Sequence, residues 1–233
     1  MPRVLALDTA TQACTVALSG EAVTARHELL ARAHNRHILR MVSELLLGRS
    51  LTDAVDVIAC GVGPGSFTGL RVAVSVAQGL AWSQGLPVHG FCSLTAQVYA
   101  AADQQLLRDG DWVLSAIDAQ IDQLYGLWGL WRHGRFEPRS DAFISTPEHL
   151  PVITGAKDAV IVGSAAHYVE RFPEGHQVGH RYHPQITPDA GVMVQVLGTD
   201  ALPLELGPAH GLSPQYVQRD IGWKKVSEQG RHD

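Results

Sequence analysis

Two aspartates in this 233-residue chain stand where a carboxylate could take part in phosphate or metal chemistry. Asp8 and Thr9 follow the apolar run 4–7, and Asp118 follows the apolar run 113–117. A carboxylate at the end of a buried strand can hold a Mg²⁺-bound water, and a threonine can donate hydrogen bonds to phosphate. An aspartate in this position can also do no more than cap a β-turn, so both interpretations stay open.

The glycine-rich segment 63–69 invites comparison with known ligand loops but matches none of them. It is not a P-loop, because no Gly-Lys-Ser/Thr follows. Its glycines fit a dinucleotide fingerprint poorly, and His89 stands where an acid is expected. Ser66 lacks the Gly-x-Ser-x-Gly frame of a nucleophile elbow. We therefore expect Gly63 and Gly65 to let a strand turn tightly into a packed helix that Ser66 caps.

Histidine spacing gives little support to a metal site. His176 and His180 are four residues apart, but the glycines and prolines around them argue against the helix that would align the two rings. His34 and His37 lie one turn apart on a predicted helix, where we expect surface or interface positions. The sequence therefore predicts no bound metal and no cofactor.

The composition is that of an ordinary globular protein, with 45% hydrophobic and 18% charged residues. The net charge is −5 and the nearest thing to a basic run is Lys224-Lys225, so we expect the chain not to grip nucleic acid by itself. The three cysteines form no Cys-x-x-Cys pair and are expected to be reduced and buried. No stretch resembles a signal peptide or a membrane span, which predicts a cytoplasmic protein.

Apolar periodicity predicts strands that alternate with helices. In the first half we expect strands at 4–7, 14–18, 22–25, 55–62 and 86–89, and helices at 33–47, 67–84 and 93–107. In the second half we expect strands at 113–119, 124–131 and 160–162, a helix from 164 to 172, a short helix at 190–197 and an irregular tail from 202.

The run 113–119 resembles the run 4–9, since each is apolar, ends in Asp plus a small residue, and precedes a second strand. A duplicated α/β domain would leave such a repeat. The sequence therefore predicts two lobes, one at residues 1–105 and a second, shortened one at 106–233.

Two predicted helices carry pronounced apolar stripes. The first has Ile38, Leu39, Val42, Leu45 and Leu46 on one face, and such a face ordinarily packs on its own sheet. The second has its stripe on Phe67, Leu70, Val74, Ala77, Leu80 and Ala81. This second helix is apolar on further sides as well, which indicates that it is sandwiched or docked to a partner.

Several groups of residues occur in an order that identifies a family. They are Leu-Ala-Leu-Asp-Thr-Ala-Thr at 5–11, Ala-His at 33–34, Gly-Pro-Gly-Ser-Phe-Thr-Gly-Leu-Arg at 63–71, Val-Ala-Gln-Gly-Leu-Ala at 76–81, Ser-Leu at 93–94, Pro-Gln-Tyr-Val-Gln-Arg at 214–219 and Trp-Lys-Lys at 223–225. Together they resemble the TsaB (YeaZ) family over most of the chain. Residues 133–183 do not contribute.

The resemblance implies an α/β fold of the actin-like (ASKHA, ribonuclease H-like) type, duplicated, with a shortened second lobe. It implies a scaffold subunit of the machinery that makes threonylcarbamoyladenosine at position 37 of tRNA, paired with the larger paralogue TsaD and joined by the ATPase TsaE. The tRNA would be reached only through the complex, and the chain alone could form a homodimer. The partner interface implied for this sequence comprises His34, His37, Ile38, Met41, Leu45, Phe67, Leu70, Arg71, Val74, Ala77 and Gln78.

The resemblance also implies a degenerate nucleotide cleft and no catalytic residues. That cleft would be shaped by Asp8, Thr9, Gly63, Gly65, Ser66 and Asp118. The paralogue has His-x-x-x-His where this chain has Ser93 and Gln97, neither of which ligates a metal well. A small-molecule kinase, a metallopeptidase and a homodimeric scaffold with an unrelated partner are the competing hypotheses.

Overall fold

The computed structural model describes residues 1–30, 34–156, 158–174 and 181–217. The first part of the chain forms a five-stranded mixed sheet. The strands are β1 (Val4–Asp8), β2 (Ala13–Leu18), β3 (Thr24–Leu29), β4 (Val57–Gly63) and β5 (Val88–Cys92). Their order in the sheet is β3-β2-β1-β4-β5, with β2 and β3 antiparallel to their neighbours and β4 and β5 parallel to β1. β1, β2 and β4 are buried along their whole length, as expected of continuous apolar runs at the centre of a sheet.

The second sheet repeats this topology. It contains β6 (Trp112–Gln120), β7 (Gln123–Arg132), β8 (Arg135–Pro138), β9 (Phe143–Ser145), β10 (Val160–Val162) and β11 (Arg181–His183). The order β8-β7-β6-β10-β11 has the same two antiparallel and two parallel pairings, and β9 adds a further antiparallel pairing with β7. The duplicated fold predicted from the repeat of residues 4–9 at 113–119 is thereby confirmed.

Helices are concentrated in the first lobe. They are α1 (His34–Leu46), α2 (Leu51–Ala54), α3 (Phe67–Gln84), α4 (Ser93–Asp103) and α5 (Ala190–Val196). Among the described residues, the second lobe has 3₁₀ turns at Pro147–His149 and Ser164–Arg171 where the first has α1 and α3. This difference is the predicted shortening of the second lobe.

The layers pack in the order helix, sheet, helix, sheet. α1 and α3 cover one face of the first sheet and bury Leu5, Val16 and Ile58. α4 and α5 lie between the two sheets, in a core that contains residues of both, such as Ala6 and Val160. A third apolar cluster covers the far face of the second sheet.

The chain passes from the first sheet to the second between α4 and β6, but later segments return to the first sheet. α5 packs against β1 and β2, and the 3₁₀ turn Ala209–Gly211 packs against α3. The division into residues 1–105 and 106–233 as separate folding units stays a prediction. No helix within the described ranges is both long and apolar enough to cross a membrane.

Most predicted elements of the first half are present, and α3 has the predicted bounds. β3 begins at Thr24 and runs to Leu29 instead of occupying 22–25. β8 and β9 fall in a segment from which no elements were predicted, because strands of four and three residues are too short to show an apolar period.

Candidate functional site

Asp8, at the end of β1, is sealed inside the first lobe. Its side chain is 1% exposed; Oδ1 accepts a hydrogen bond from the backbone N–H of Ala10 at 2.7 Å, and Oδ2 accepts one from Ser93 Oγ at 2.7 Å. A Cβ at Gly61 would lie 1.8 Å from Oδ2, so only a glycine fits beside the carboxylate. Burial raises the pKa of Asp8 to about 6, and the two hydrogen bonds lower it only in part. Asp8 therefore ties β1 to the first turn of α4.

Thr9 is also buried, and it holds the turn that follows β1 against α3. Its Oγ1 donates a hydrogen bond to the carbonyl oxygen of Gly69 at 2.7 Å. A Cβ at Gly69 would lie 1.9 Å from the carbonyl oxygen of Thr9, and a Cβ at Gly65 would lie 2.4 Å from that of Ala10. Because Gly65 and Gly69 have no side chain, the backbone of the turn that follows β1 can lie against α3, which agrees with the predicted close packing.

Backbone N–H groups at the start of α3 form hydrogen bonds within the chain. The N–H of Ser66 donates to the carbonyl oxygen of Ala10 at 2.7 Å, and the N–H of Gly69 donates to Ser66 Oγ at 3.3 Å. Ser66 is thus the predicted N-cap of the helix.

A cleft with a volume of about 780 Å³ lies between the two lobes. It is lined by Ala10, Thr11, Gln12, His34, Gly65, Ser66, Phe67, Gln97, Ile117, Asp118, Ala119, Gln120, Tyr125, Ser164, His167, Ile186 and Thr187. Gly65, Ser66 and Asp118 of the predicted cleft are in this lining. Asp8, Thr9 and Gly63 are not, because Asp8 and Thr9 turn into the core and Gly63 is covered by Leu70 and Gln215.

Asp118 occupies in the second lobe the place that Asp8 has in the first, and its surroundings differ. Its Oδ1 accepts a hydrogen bond from the backbone N–H of Gln120 at 2.8 Å, which repeats the turn at Asp8. The hydroxyl of Tyr168 donates to the same oxygen at 3.4 Å. Asp118 is only partly buried and faces the cleft, so of the two equivalent carboxylates it alone can meet a ligand there.

Gln97, on α4, forms part of the cleft's inner boundary and is 0% exposed. Its Nε2 donates to Ser115 Oγ at 2.9 Å and to the carbonyl oxygen of Val162 at 3.0 Å, so it ties α4 to the second sheet. Its Oε1 has no hydrogen-bond partner among the described residues. Gln97 thus links α4 to the second sheet, whereas Ser93 links α4 to β1 within the first lobe.

The described residues contain no cluster of three or more His, Cys, Asp or Glu side chains that could hold a metal ion. His37 Nδ1 lies 2.9 Å from Glu28 Oε2, in a surface ion-pair group with Arg40. His34 lines the cleft, and its pKa is lowered chiefly by burial. His176 and His180 lie outside the described residues.

The sequence and the fold of this chain are similar to those of known proteins. The family model described as TsaD, tRNA N6-adenosine threonylcarbamoyltransferase, matches residues 20–145. A relative from Haemophilus influenzae, the tRNA threonylcarbamoyladenosine biosynthesis protein TsaB, is 33% identical over 96% of both chains. The chain belongs to the TsaB (YeaZ) family. The TsaB of Escherichia coli is 44% identical over 53% of each chain.

Solved structures of the TsaB family agree with the fold. YeaZ from Pseudomonas aeruginosa is 35% identical with a TM-score of 0.74, and the match covers 83% of this chain and 89% of that one. A second structure, described as a protein with similarity to peptidase YeaZ from Pseudomonas aeruginosa, is 32% identical with a TM-score of 0.81 over 94% of this chain and all of that one. The actin-like class expected from the sequence is confirmed.

Most apolar members of the predicted partner interface are buried in this chain's own core, and the interface as a whole stays a prediction. Six of these residues are at most 4% exposed, namely Ile38, Met41, Leu45, Leu70, Val74 and Ala77. All but Leu70 belong to the cluster between α1, α3 and the first sheet, and Leu70 lies against Gly63 of β4. A side chain enclosed there cannot contact a partner while the fold is intact. Of the predicted set, Phe67 and Arg71 are exposed, and His34, His37 and Gln78 are half-buried.

The outward side of α3 is formed by other residues. Thr68, Ser75, Gly79 and Trp82 are exposed, and Trp82 keeps 73% of its surface accessible. Val72, Val76 and Leu80 are half-buried along the same side. This surface is therefore mostly small and apolar, and a helix of another chain could approach it closely.

A C-terminal segment, residues 209–216, lies along one flank of α3. Gln78 Nε2 donates to the carbonyl oxygen of Leu212 at 2.9 Å, and Arg71 Nε donates to the Tyr216 hydroxyl at 3.1 Å. The Arg71 guanidinium stands 3.8 Å above the ring of Phe67, which in turn contacts Tyr216 with 5.3 Å between ring centroids. Phe67, Arg71 and Tyr216 form an ordered patch beside the outward side of α3. Residues 218–225, which the family resemblance also uses, lie outside the described part of the chain.

Proposed function

We propose that this chain is a non-catalytic, cytoplasmic subunit of the machinery that makes threonylcarbamoyladenosine on tRNA. The observation that carries the proposal is the 33% identity with the Haemophilus influenzae TsaB over 96% of both chains. In this proposal the chain docks to TsaD and holds it in its active arrangement, and the pair recruits the ATPase TsaE. The tRNA is bound through the complex, which suits a chain whose net charge is −5.

The interior of the first lobe supports a non-catalytic role. A kinase of this fold needs an open carboxylate and free loop amides at the phosphates. Here Asp8 is committed to Ala10 and Ser93, and the carbonyl oxygens of Thr9 and Ala10 lie against α3. A metallopeptidase needs metal ligands, and Ser93 and Gln97 instead form hydrogen bonds between elements of the chain.

The outward side of α3 is the docking surface in this proposal. Ser75 and Gly79 let a partner helix come close, and Val72, Val76 and Trp82 supply apolar area around them. Burial of apolar surface is the main driving force for such association. A homodimer of the isolated chain would use the same surface, so TsaD would compete with it.

Ser75→Arg is expected to abolish the one-to-one complex with cognate TsaD while leaving the chain folded. Ser75 is exposed at the middle of the docking surface, where a long charged side chain would be buried without a partner in the complex. The measurement is light scattering during size exclusion, on the chain alone and mixed with TsaD. Circular dichroism checks that the variant is folded. Ser75 is chosen instead of Leu70, because Leu70 is buried and a charge there would unfold the chain and so remove the complex for another reason.

Gln104→Arg is the matched control, since Gln104 is exposed at the end of α4 and lies off the docking surface. It is expected to bind TsaD as the unsubstituted chain does. Failure of the unsubstituted chain to bind TsaD at micromolar concentration would contradict the docking role. Retention of the complex by a folded Ser75→Arg would place the interface on another surface.

A further inference from the structure

A second pocket, with a volume of about 300 Å³, opens where the C-terminal ends of α4 and α5 meet the hairpin between β7 and β8. This α4–α5 pocket shares no lining residue with the interlobe cleft, and its lining includes no residue of α3. We propose that it binds a small organic monocation, an alkylammonium ion that packs against the indole of Trp131 with its charge near Asp103. The proposal concerns the isolated chain and does not depend on the proposed function.

The charges around the pocket favour a cation. Asp103 lines the pocket at the end of α4, is exposed, and forms no ion pair or side-chain hydrogen bond with another described residue. Among the described residues, the pocket lining contains no lysine, arginine or histidine. Arg135, which follows the lining residue Gly134, is exposed and lies outside the lining. A cation in the pocket is therefore attracted by the one charged side chain that it can contact.

The two helix ends act in the same direction. Asp103 is the last residue of α4 and Val196 is the last residue of α5, and both line the pocket. The C-terminal end of a helix carries a partial negative charge, because its last carbonyl groups point out of the helix. An anion at this place would be repelled by the helix ends and by the carboxylate together.

The hydroxyl groups in the lining donate their hydrogen bonds within the chain. The hydroxyl of Tyr99 donates to the carbonyl oxygen of Ala201 at 3.3 Å, and the hydroxyl of Thr199 donates to the carbonyl oxygen of Val196 at 2.6 Å. Neither hydroxyl has a second proton to offer to a ligand. A ligand that needs donors, such as a carboxylate or a phosphate, is therefore poorly served, whereas an alkylammonium ion needs none.

Aromatic and apolar surface completes the pocket. Trp131 is the largest side chain of the lining and is half-buried, and its indole packs edge to face with Tyr99, at 5.5 Å between the ring centroids and 78° between the planes. A cation within about 6 Å of an indole ring is attracted by the ring electrons. Ala102 and Val196 are half-buried and supply contacts for methyl groups. A volume of about 300 Å³ is at the lower end of the range of small-molecule sites, roughly 300–1,000 Å³, and suits a compact ligand.

The test compares choline with 3,3-dimethyl-1-butanol, a neutral molecule of the same shape, by ¹H–¹⁵N NMR on the full chain. The indole N–H signal of Trp131, assigned as the signal that Trp131→Phe removes, is followed during each titration. We expect choline to bind with a Kd below about 10 mM and the alcohol to bind about fivefold more weakly or worse. Sodium chloride at the same concentration controls for ionic strength. No saturable shift with choline, or equal binding of the alcohol, would overturn the proposal.

Two substitutions locate the site, with choline binding measured by calorimetry. Trp131→Leu is expected to remove detectable binding, whereas Trp131→Phe, which keeps an aromatic ring, should retain part of it. Asp103→Asn is expected to weaken binding about threefold. Asp141→Asn makes the same charge change at an exposed position outside the pocket and should leave the Kd unchanged. Thermal melting checks that each variant is folded, and unchanged binding by a folded Trp131→Leu would refute the α4–α5 pocket as the site.

Discussion

Gly69→Ala is expected to lower the free energy of unfolding by about 3 kcal/mol or more, although alanine is the better helix former. A Cβ at this position would lie 1.9 Å from the carbonyl oxygen of Thr9 and 3.1 Å from its carbonyl carbon. These are backbone atoms of a turn that Thr9 and Asp8 hold by buried hydrogen bonds, so they cannot move aside without loss of those bonds. Urea denaturation followed by circular dichroism measures the effect.

Gly79→Ala provides a control within the same helix. A Cβ at Gly79 would have no other heavy atom within 4 Å, and the residue is exposed. Alanine there should stabilise the isolated chain by about 0.5–1 kcal/mol through helix propensity alone. Equal effects of the two substitutions would show that the β1 turn does not pack against α3 as described.

Asp8→Asn is expected to become progressively more stable than the unsubstituted chain as the pH rises from about 4 to 6. The pKa of Asp8 is about 6 in the folded chain, against an ordinary value of 3.8. Between these values the folded chain binds more protons than the unfolded chain, so the Asp8 contribution to stability falls as the pH rises. The difference in unfolding free energy should approach about 3 kcal/mol above pH 6, because a tenfold change in a proton-binding constant corresponds to about 1.4 kcal/mol.

Asp8→Ala separates the cost of ionisation from the hydrogen bonds of the side chain. Alanine leaves the Ser93 hydroxyl and the Ala10 N–H without their acceptor, and it opens a cavity in the core. It should therefore destabilise the chain by about 2–3 kcal/mol at pH 5. Denaturation curves at pH 4, 5, 6 and 7 test both variants. A stability difference between Asp8→Asn and the unsubstituted chain that does not change with pH would mean that folding does not shift the pKa of Asp8.

The repeat at residues 4–9 and 113–119 predicted the duplicated fold because central strands of a sheet are apolar on both faces, and this is visible in sequence. The start of α3 was predicted because Ser66 caps it, and in the structure the helix ends where Gly85 adopts the left-handed conformation. Local chemistry of this kind depends on neighbours along the chain, which a single sequence contains.

The orientation of Asp8 and of the apolar helix faces could not be predicted in the same way. Asp8 and Asp118 have the same local pattern and the same turn, but the first is sealed by Gly61 and Ser93 and the second faces the cleft. An apolar stripe such as that of α3 looks alike in sequence whether the chain's own sheet or a partner covers it. Such outcomes depend on residues that are distant in sequence. The same holds for Gln97, whose Oε1 has no hydrogen-bond partner in the described part of the chain and whose surroundings come from α4, β6 and β10.

The most direct test of the proposed role is the formation of threonylcarbamoyladenosine on tRNA in a reconstituted mixture of TsaD, TsaE and the enzyme that supplies the activated threonylcarbamoyl group. Mass spectrometry of nucleosides from digested tRNA measures the product with and without this chain. The account predicts product only when the chain is present, loss of product with Ser75→Arg, and full activity with Asp8→Asn, whose carboxylate has only a structural role. Equal product without the chain, or loss of activity in a folded Asp8→Asn, would contradict it.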